Sequence, residues 1–286
     1  MSMVKTPALT TNPVVCVCCG RRSWRHYCHV AGYELLRCRT CQFVRVNLPE
    51  HFDFTSLYGE DYFFGRGFDR SSLIPESRAP APALDARRRH RLQLLADSIG
   101  GTGRLLDVGT GAGALLDVAR AMGWDAVGQE ISEAGAAEAR SRGFHVEVGQ
   151  LVDCNFQPGS FDAAAMIEVI EHIQDPGPTL VQLLKALRPG GWALLTTGDI
   201  GSLRARLRGS RWGYLRPPGH VSYFTHKSLS QLLTSVGFKQ VKNVPTYNLS
   251  FPSFPGFEPA ESGVFRWAAF NLRRVTRMEM CFMAQA

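Results

Sequence analysis

Arg104-Leu-Leu-Asp107-Val-Gly109-Thr110-Gly111-Ala-Gly113 is the stretch on which the fold of this 286-residue chain turns. Its first half is a short apolar run, the pattern of a strand buried in a parallel sheet. Its second half alternates glycines, which let the backbone turn sharply and approach a ligand before a helix over 114–122 begins. The next strand, 124–129, runs into Glu130, and a carboxylate at that place can accept both hydroxyls of a ribose. Alone, the loop leaves two readings open, because Gly109, Gly111 and Ala114 also match the fingerprint of an NAD-binding enzyme.

The alternation continues outward. Strands are predicted over 144–148, 161–167, 192–197 and 238–244, and helices over 85–99, 179–187 and 227–236. Such alternation gives an α/β fold with a mainly parallel sheet covered on both faces. Met278, Met280 and Phe282 alternate with Arg277, Glu279 and Cys281, which predicts a last strand, antiparallel and at the sheet edge.

Six of the eight cysteines fall between Cys16 and Cys41. Cys16 and Cys19 form one C-x-x-C pair, and Cys38 and Cys41 a second at the spacing of a two-knuckle zinc site. Four thiolates close a tetrahedral structural site with no open position. Tyr33 to Arg37 reads as the strand that delivers the second pair, and Cys18, Cys28, His26 and His29 are spare donors nearby.

Composition sets the bounds. Hydrophobic residues are 45% and charged residues 20%, the balance of an ordinary globular protein. No run reaches the roughly 20 apolar residues that cross a bilayer, and residues 1–13 lack the pattern of a secretory signal. A cytoplasmic address is the expectation, and there cysteines suggest metal ligands or catalysis. The net charge of +7 concentrates in arginine runs at 87–91, 204–216 and 266–277, open to an anionic substrate, nucleic acid, a membrane surface or plain solvation.

Ser160-Phe-Asp162-Ala-Ala-Ala-Met-Ile167-Glu168-Val-Ile-Glu171-His172 and Leu187-Arg-Pro-Gly-Gly191 follow the glycine loop in order. Together with it they resemble the class I S-adenosylmethionine-dependent methyltransferases, whose fold is a Rossmann-like doubly wound sheet. A dehydrogenase has no reason to carry the Glu-His and Pro-Gly-Gly elements. The paired knuckles, the segment from Leu57 to Phe63 and Pro217-Pro-Gly-His220 look like a narrower branch. That branch places a zinc ribbon before the methyltransferase domain and works in sugar, polysaccharide or natural-product biosynthesis. The implied organisation is a four-cysteine zinc ribbon over 1–48 and an aromatic connector over 49–85. A cofactor-binding core over 86–245 follows, with a lid-like insert at 199–219, then a tail and edge strand over 246–286. The resemblance implies that Gly109, Gly111 and Gly113, with Asp107 and Thr110 in the same turn, surround the methionine part of S-adenosylmethionine. Glu130 would hold the ribose, Ile131 would lie against the adenine, and Ile167 and Glu168 would line the sulfonium region.

The sulfonium methyl is already activated, so the enzyme aligns it with a nucleophile and removes a proton. His172 suits the general base, assisted by His220, with Glu171 beside it and Tyr58, Tyr62 and Tyr223 orienting a hydroxylated small-molecule or glycan-type substrate. Glu168, Glu171, His172 and His220 also match the arrangement that binds Mg2+ in small-RNA 2′-O-methyltransferases, giving a metal-assisted alternative. A ribbon, a methyltransferase core and positive charge also describe certain ribosomal-RNA methyltransferases, which keeps an RNA partner open. The acceptor atom stays open among oxygen, nitrogen and carbon.

Overall fold

A computed structural model describes residues 14–48, 52, 82–244 and 279–286. The chain begins with a small antiparallel unit, β1 (Trp24–Val30), β2 (Tyr33–Cys38) and β3 (Val44–Val46). It continues as α1 (Pro82–Ile99), β4 (Arg104–Val108), α2 (Ala114–Ala121), β5 (Asp125–Glu130), α3 (Glu133–Ser141) and β6 (His145–Val148). Next come β7 (Phe161–Ile167), α4 (Pro176–Ala186), β8 (Leu187–Gly198), α5 (Leu203–Arg208), β9 (Ser222–Tyr223) and α6 (His226–Val236). β10 (Lys239–Val244) and β11 (Glu279–Gln285) complete it.

Seven strands form one sheet in the order β10-β11-β8-β7-β4-β5-β6. The pairs β8–β7, β7–β4, β4–β5 and β5–β6 are parallel, while β11 runs antiparallel to both its neighbours. This is a mixed α/β, Rossmann-like class I methyltransferase fold. The sequence pattern found β11 and its direction but misplaced it: β10, not β11, is the edge. Met280, Phe282 and Ala284 enter one apolar layer and Cys281 and Met283 the other. The alternation of apolar and softer residues therefore divides two buried faces, as in any interior strand. β7 divides in the same way, with Ala164 and Met166 on one side and Ala163 and Ala165 on the other.

Local chemistry fixes the joints. Asp162, at the start of β7, accepts from the Arg104 backbone N–H at 2.7 Å and from Arg188 Nε at 2.7 Å, tying β4 and the Pro-Gly-Gly segment together. Asp175 caps α4, with Pro176 in its first turn, and Thr225 with Ser228 forms a capping box on α6.

The N-terminal strands belong to a four-stranded sheet, β1-β2-β3-β9, whose last strand lies just beyond the insert. Ile200, Ala205, Trp212 and Leu215 of the insert share an apolar cluster with Leu35, Val44 and Val46. Phe43 meets Phe224 at 5.0 Å between ring centroids, joining this unit to the main core. The expected lid is thus packed down against the cysteine-bearing strands. Among the described residues, no helix is long and apolar enough to cross a membrane.

Candidate active site

The glycine loop and the ends of β4 and β7 open onto a cavity of about 350 Å³. Asp107, Gly109, Thr110, Ile167 and Glu168 line it on the sheet side. Arg87, Arg88 and Arg91 of α1 and Glu279 of β11 complete the lining. This is the carboxyl edge of the parallel strands, where open α/β sheets bind ligands.

Gly109 has φ +70°, and a Cβ there would lie 2.4 Å from Val169 Cγ2. Asp107 is buried and accepts from the Thr110 hydroxyl at 2.7 Å. Burial, with the charge of Glu130 adding to it, pushes its carboxyl up to about 7. Glu130 turns back onto the loop, accepting from Gly111 N–H at 2.7 Å and from Ser132 N–H at 2.9 Å. Gly111, Gly113, Glu130, Ile131, Glu171, His172 and His220 stand outside the cavity lining. The bareness of Gly113 serves packing: with φ +82°, its Cβ would lie 3.0 Å from Ala139 Cβ and 2.9 Å from Arg142 Nη2.

Glu168 follows β7 in a left-handed conformation, φ 55°, which costs a non-glycine residue energy and marks a constrained turn. Thr196 Oγ1 donates to its Oε1 at 3.1 Å, and the Tyr214 hydroxyl lies 2.9 Å from its Oε2. The same hydroxyl contacts Glu171 Oε1, and Thr197 Oγ1 donates to Glu171 Oε2 at 2.9 Å. A phenol has one proton and can donate to only one carboxyl. One of the two glutamates must therefore supply the other bond as an acid. Burial and the adjacent Glu168 charge hold Glu171 well above the carboxylate range, and burial raises Glu168 as well. Burial likewise keeps Tyr214 a neutral phenol.

His172 and His220, both named from the sequence, come together with their rings at 4.7 Å, edge to face. His172 Nδ1 lies 3.0 Å from the Gly219 carbonyl, and His220 Nδ1 lies 2.9 Å from the Tyr214 carbonyl. A carbonyl only accepts, so both Nδ1 atoms are donors, and in the neutral rings Nε2 carries the lone pair. Donor atoms of Glu171, His172 and His220 lie within 4.8 Å of one another. Glu168, the fourth member of the expected arrangement, is not in that group. Tyr223 does not take its expected role: it is fully buried and its hydroxyl donates to the His220 carbonyl at 2.7 Å. Tyr58 and Tyr62 lie outside the described residues.

The four thiols of Cys16, Cys19, Cys38 and Cys41 converge. The Cys16–Cys41 and Cys19–Cys38 sulfurs are 3.5 and 3.6 Å apart. A tetrahedron with Zn–S of about 2.3 Å has edges of about 3.8 Å, so the set fits one ion after small adjustment. Contacts from the Cys18 and Cys41 thiols hold Cys16 far below the ordinary thiol range, whereas burial pushes Cys18 up and keeps it protonated.

Sequence reasoning missed Tyr214, Thr196 and Thr197. Nothing local marks them, because each meets its glutamate across the sheet or from the insert. The arginines of α1 were noticed only as charge, and helical spacing in 85–99 was the signal that they share a wall.

Comparison with known proteins agrees with this fold. The family model described as a methyltransferase domain matches residues 82–243, more than half the chain. The ubiquinone biosynthesis O-methyltransferase of Bordetella avium is 32% identical over 133 residues, 43% of this chain and 54% of that one. The Bordetella pertussis protein of the same name is 31% identical over 174 residues, 56% of this chain and 71% of that one. The chain spans about half the length of most of the first curated relatives it matches. In fold, it is similar to a SAM-dependent methyltransferase from Archaeoglobus fulgidus, with a TM-score of 0.54 and 18% identity, covering 73% of this chain and 96% of that one. With the glycine loop, the strand order and the family match in agreement, the chain belongs to the methyltransferase-domain family and has the fold of S-adenosylmethionine-dependent methyltransferases.

Proposed function

We propose that the enzyme methylates a hydroxyl group of a small hydroxylated molecule, with His172 as general base. The observation that carries this reading is the His172 Nδ1 contact to the Gly219 carbonyl, 3.0 Å long. It fixes the ring and places the basic lone pair on Nε2, as proton removal from an attacking hydroxyl requires. The cavity falls within the range of small-molecule sites, roughly 300–1,000 Å³, and Asp107, Gly109, Thr110, Ile167 and Glu168 offer S-adenosylmethionine a polar and an apolar wall. Once bound there, it supplies an activated methyl group. The protein's part is to align the acceptor, exclude water and take up one proton. Gly111, Glu130 and Ile131 are assigned to the nucleoside end and Gly113 to shaping the loop. Relatives named for ubiquinone biosynthesis favour a small aromatic or quinone-like acceptor over a glycan or RNA.

The cysteine tetrad is assigned to a structural zinc ion that holds the N-terminal strands against Phe224 and the main core. A second catalytic reading rests on the convergence of Glu171, His172 and His220 within 4.8 Å. A divalent ion there would lower the pKa of an acceptor hydroxyl. One carboxylate and two imidazoles suit zinc, iron or manganese better than Mg2+, which takes oxygen ligands.

The test is methyl transfer from labelled S-adenosylmethionine to catechols, nucleotide sugars and RNA, each with and without a chelator too weak to strip a four-thiolate site. Turnover of catechols alone supports the proposal. Turnover only of RNA overturns it, turnover only of sugars overturns the aromatic or quinone-like acceptor, and loss of catechol turnover on chelation selects the metal-assisted route.

A further inference from the structure

We propose a second metal site on the outer face of the β1–β2 hairpin, in which His26, His29 and Glu34 bind a divalent transition-metal ion. Residues three apart on a regular strand point to opposite faces. Here the register shifts between His26 and Cys28: His26 pairs with Leu36, Cys28 with Leu35 and His29 with Glu34. Tyr27 is thus the extra residue of a β-bulge. Because Leu36 and Glu34 are two apart on β2, their partners His26 and His29 share one face. Their rings stand 4.8 Å apart with a tilt of 36°.

Glu34 completes the group from the facing strand. Its Oε1 lies 3.1 Å from His26 Nδ1, the contact that a bridging ion would replace. Its Oε2 accepts from Asn47 Nδ2 at 3.0 Å, and the Asn47 backbone N–H donates to the Glu34 carbonyl at 2.8 Å. A carboxylate oriented in this way by an amide is the usual second support of a metal ligand. Donor atoms of all three residues lie within 4.8 Å of one another. Both histidines are exposed, so small rotations bring their nitrogens to the roughly 2.0–2.1 Å that zinc requires.

The donor set defines the ligand class. Two imidazoles and one carboxylate suit zinc, nickel or copper and reject magnesium and calcium. Three protein ligands leave a coordination position open to water or an external donor, unlike the closed four-cysteine set. The two groups share no residue.

Cobalt spectroscopy on the full chain separates the two sites, since thiolate ligation gives intense charge-transfer absorption and an N/O site does not. The wild-type protein, already loaded at its cysteines, should take up one further equivalent of Co2+ or Zn2+ at micromolar concentration without new thiolate absorption. The His26→Ala/His29→Ala variant should lose that equivalent while keeping its cysteine-bound metal and its unfolding midpoint. Asn47→Ala should weaken it by about 10-fold. A wild-type protein that binds no second equivalent below millimolar concentration overturns the proposal, as does a double variant that still binds it.

Discussion

The hydroxyl of Tyr214 lies 2.9 Å from Oε2 of Glu168, joining the insert to the strained turn that ends β7. The same oxygen reaches Glu171, so one phenol serves two buried carboxyls. Tyr214→Phe leaves both without that partner. Losing a bond to a buried polar group costs about 1–3 kcal/mol. Denaturant unfolding should report a loss of that size, and an unchanged midpoint would show that Tyr214 bears no such load.

Asp107 should make stability depend on pH. Its carboxyl is raised from 3.8 to about 7 in the folded protein. Between those values the native state binds the proton more tightly than the unfolded chain, so stability falls as pH rises. The loss approaches about 1.4 kcal/mol per unit near pH 5 and flattens as the group half-ionises at pH 7, roughly 2 kcal/mol across the window. Asn cannot titrate and still accepts from the Thr110 hydroxyl. Asp107→Asn should therefore be less sensitive over this window than the wild type, as seen in unfolding midpoints at pH 5 and pH 7. Equal slopes would place the titration elsewhere.

Two glycines of the same loop should fail in different ways. An alanine at Gly109 presses on Val169, next to Glu168 on the cavity wall. Gly109→Ala should weaken S-adenosylmethionine binding by at least ~10-fold, about 1.4 kcal/mol. Both substitutions force a left-handed alanine, costing about 1–2 kcal/mol of stability. Gly113→Ala, however, presses on Ala139 and Arg142, outside the cavity lining, and should spare S-adenosylmethionine affinity. Calorimetry and thermal unfolding on both variants should separate the effects; identical profiles would contradict the division.

Cys38→Ser should release the tetrad's zinc and loosen the strands that pack on Phe224. Metal analysis should fall by one zinc per chain, with a lower unfolding temperature. Unchanged metal content and midpoint would remove the structural-zinc assignment.

The parallel strands, the glycine turn and the Glu-x-x-Glu-His stretch were legible because their signals are local: apolar runs, glycines and short spacings. Tyr214 was not, because it lies 43 residues beyond Glu171 and reaches it only after the insert folds back. The interior place of β11 was also hidden, since Glu279 and Cys281 read as the softer face of an edge strand, whereas both faces of β11 enter apolar layers. In the same way, β9 joins the cysteine-bearing sheet by pairing with Val44 and Arg45, far from it in sequence.

The most direct test of the proposed mechanism is His172→Ala, with S-adenosylmethionine affinity and methyl transfer to the best hydroxylated acceptor measured on the same sample. Affinity should survive while turnover falls by at least ~100-fold, the scale of a lost general base. Turnover close to that of the wild type would contradict the assignment of His172.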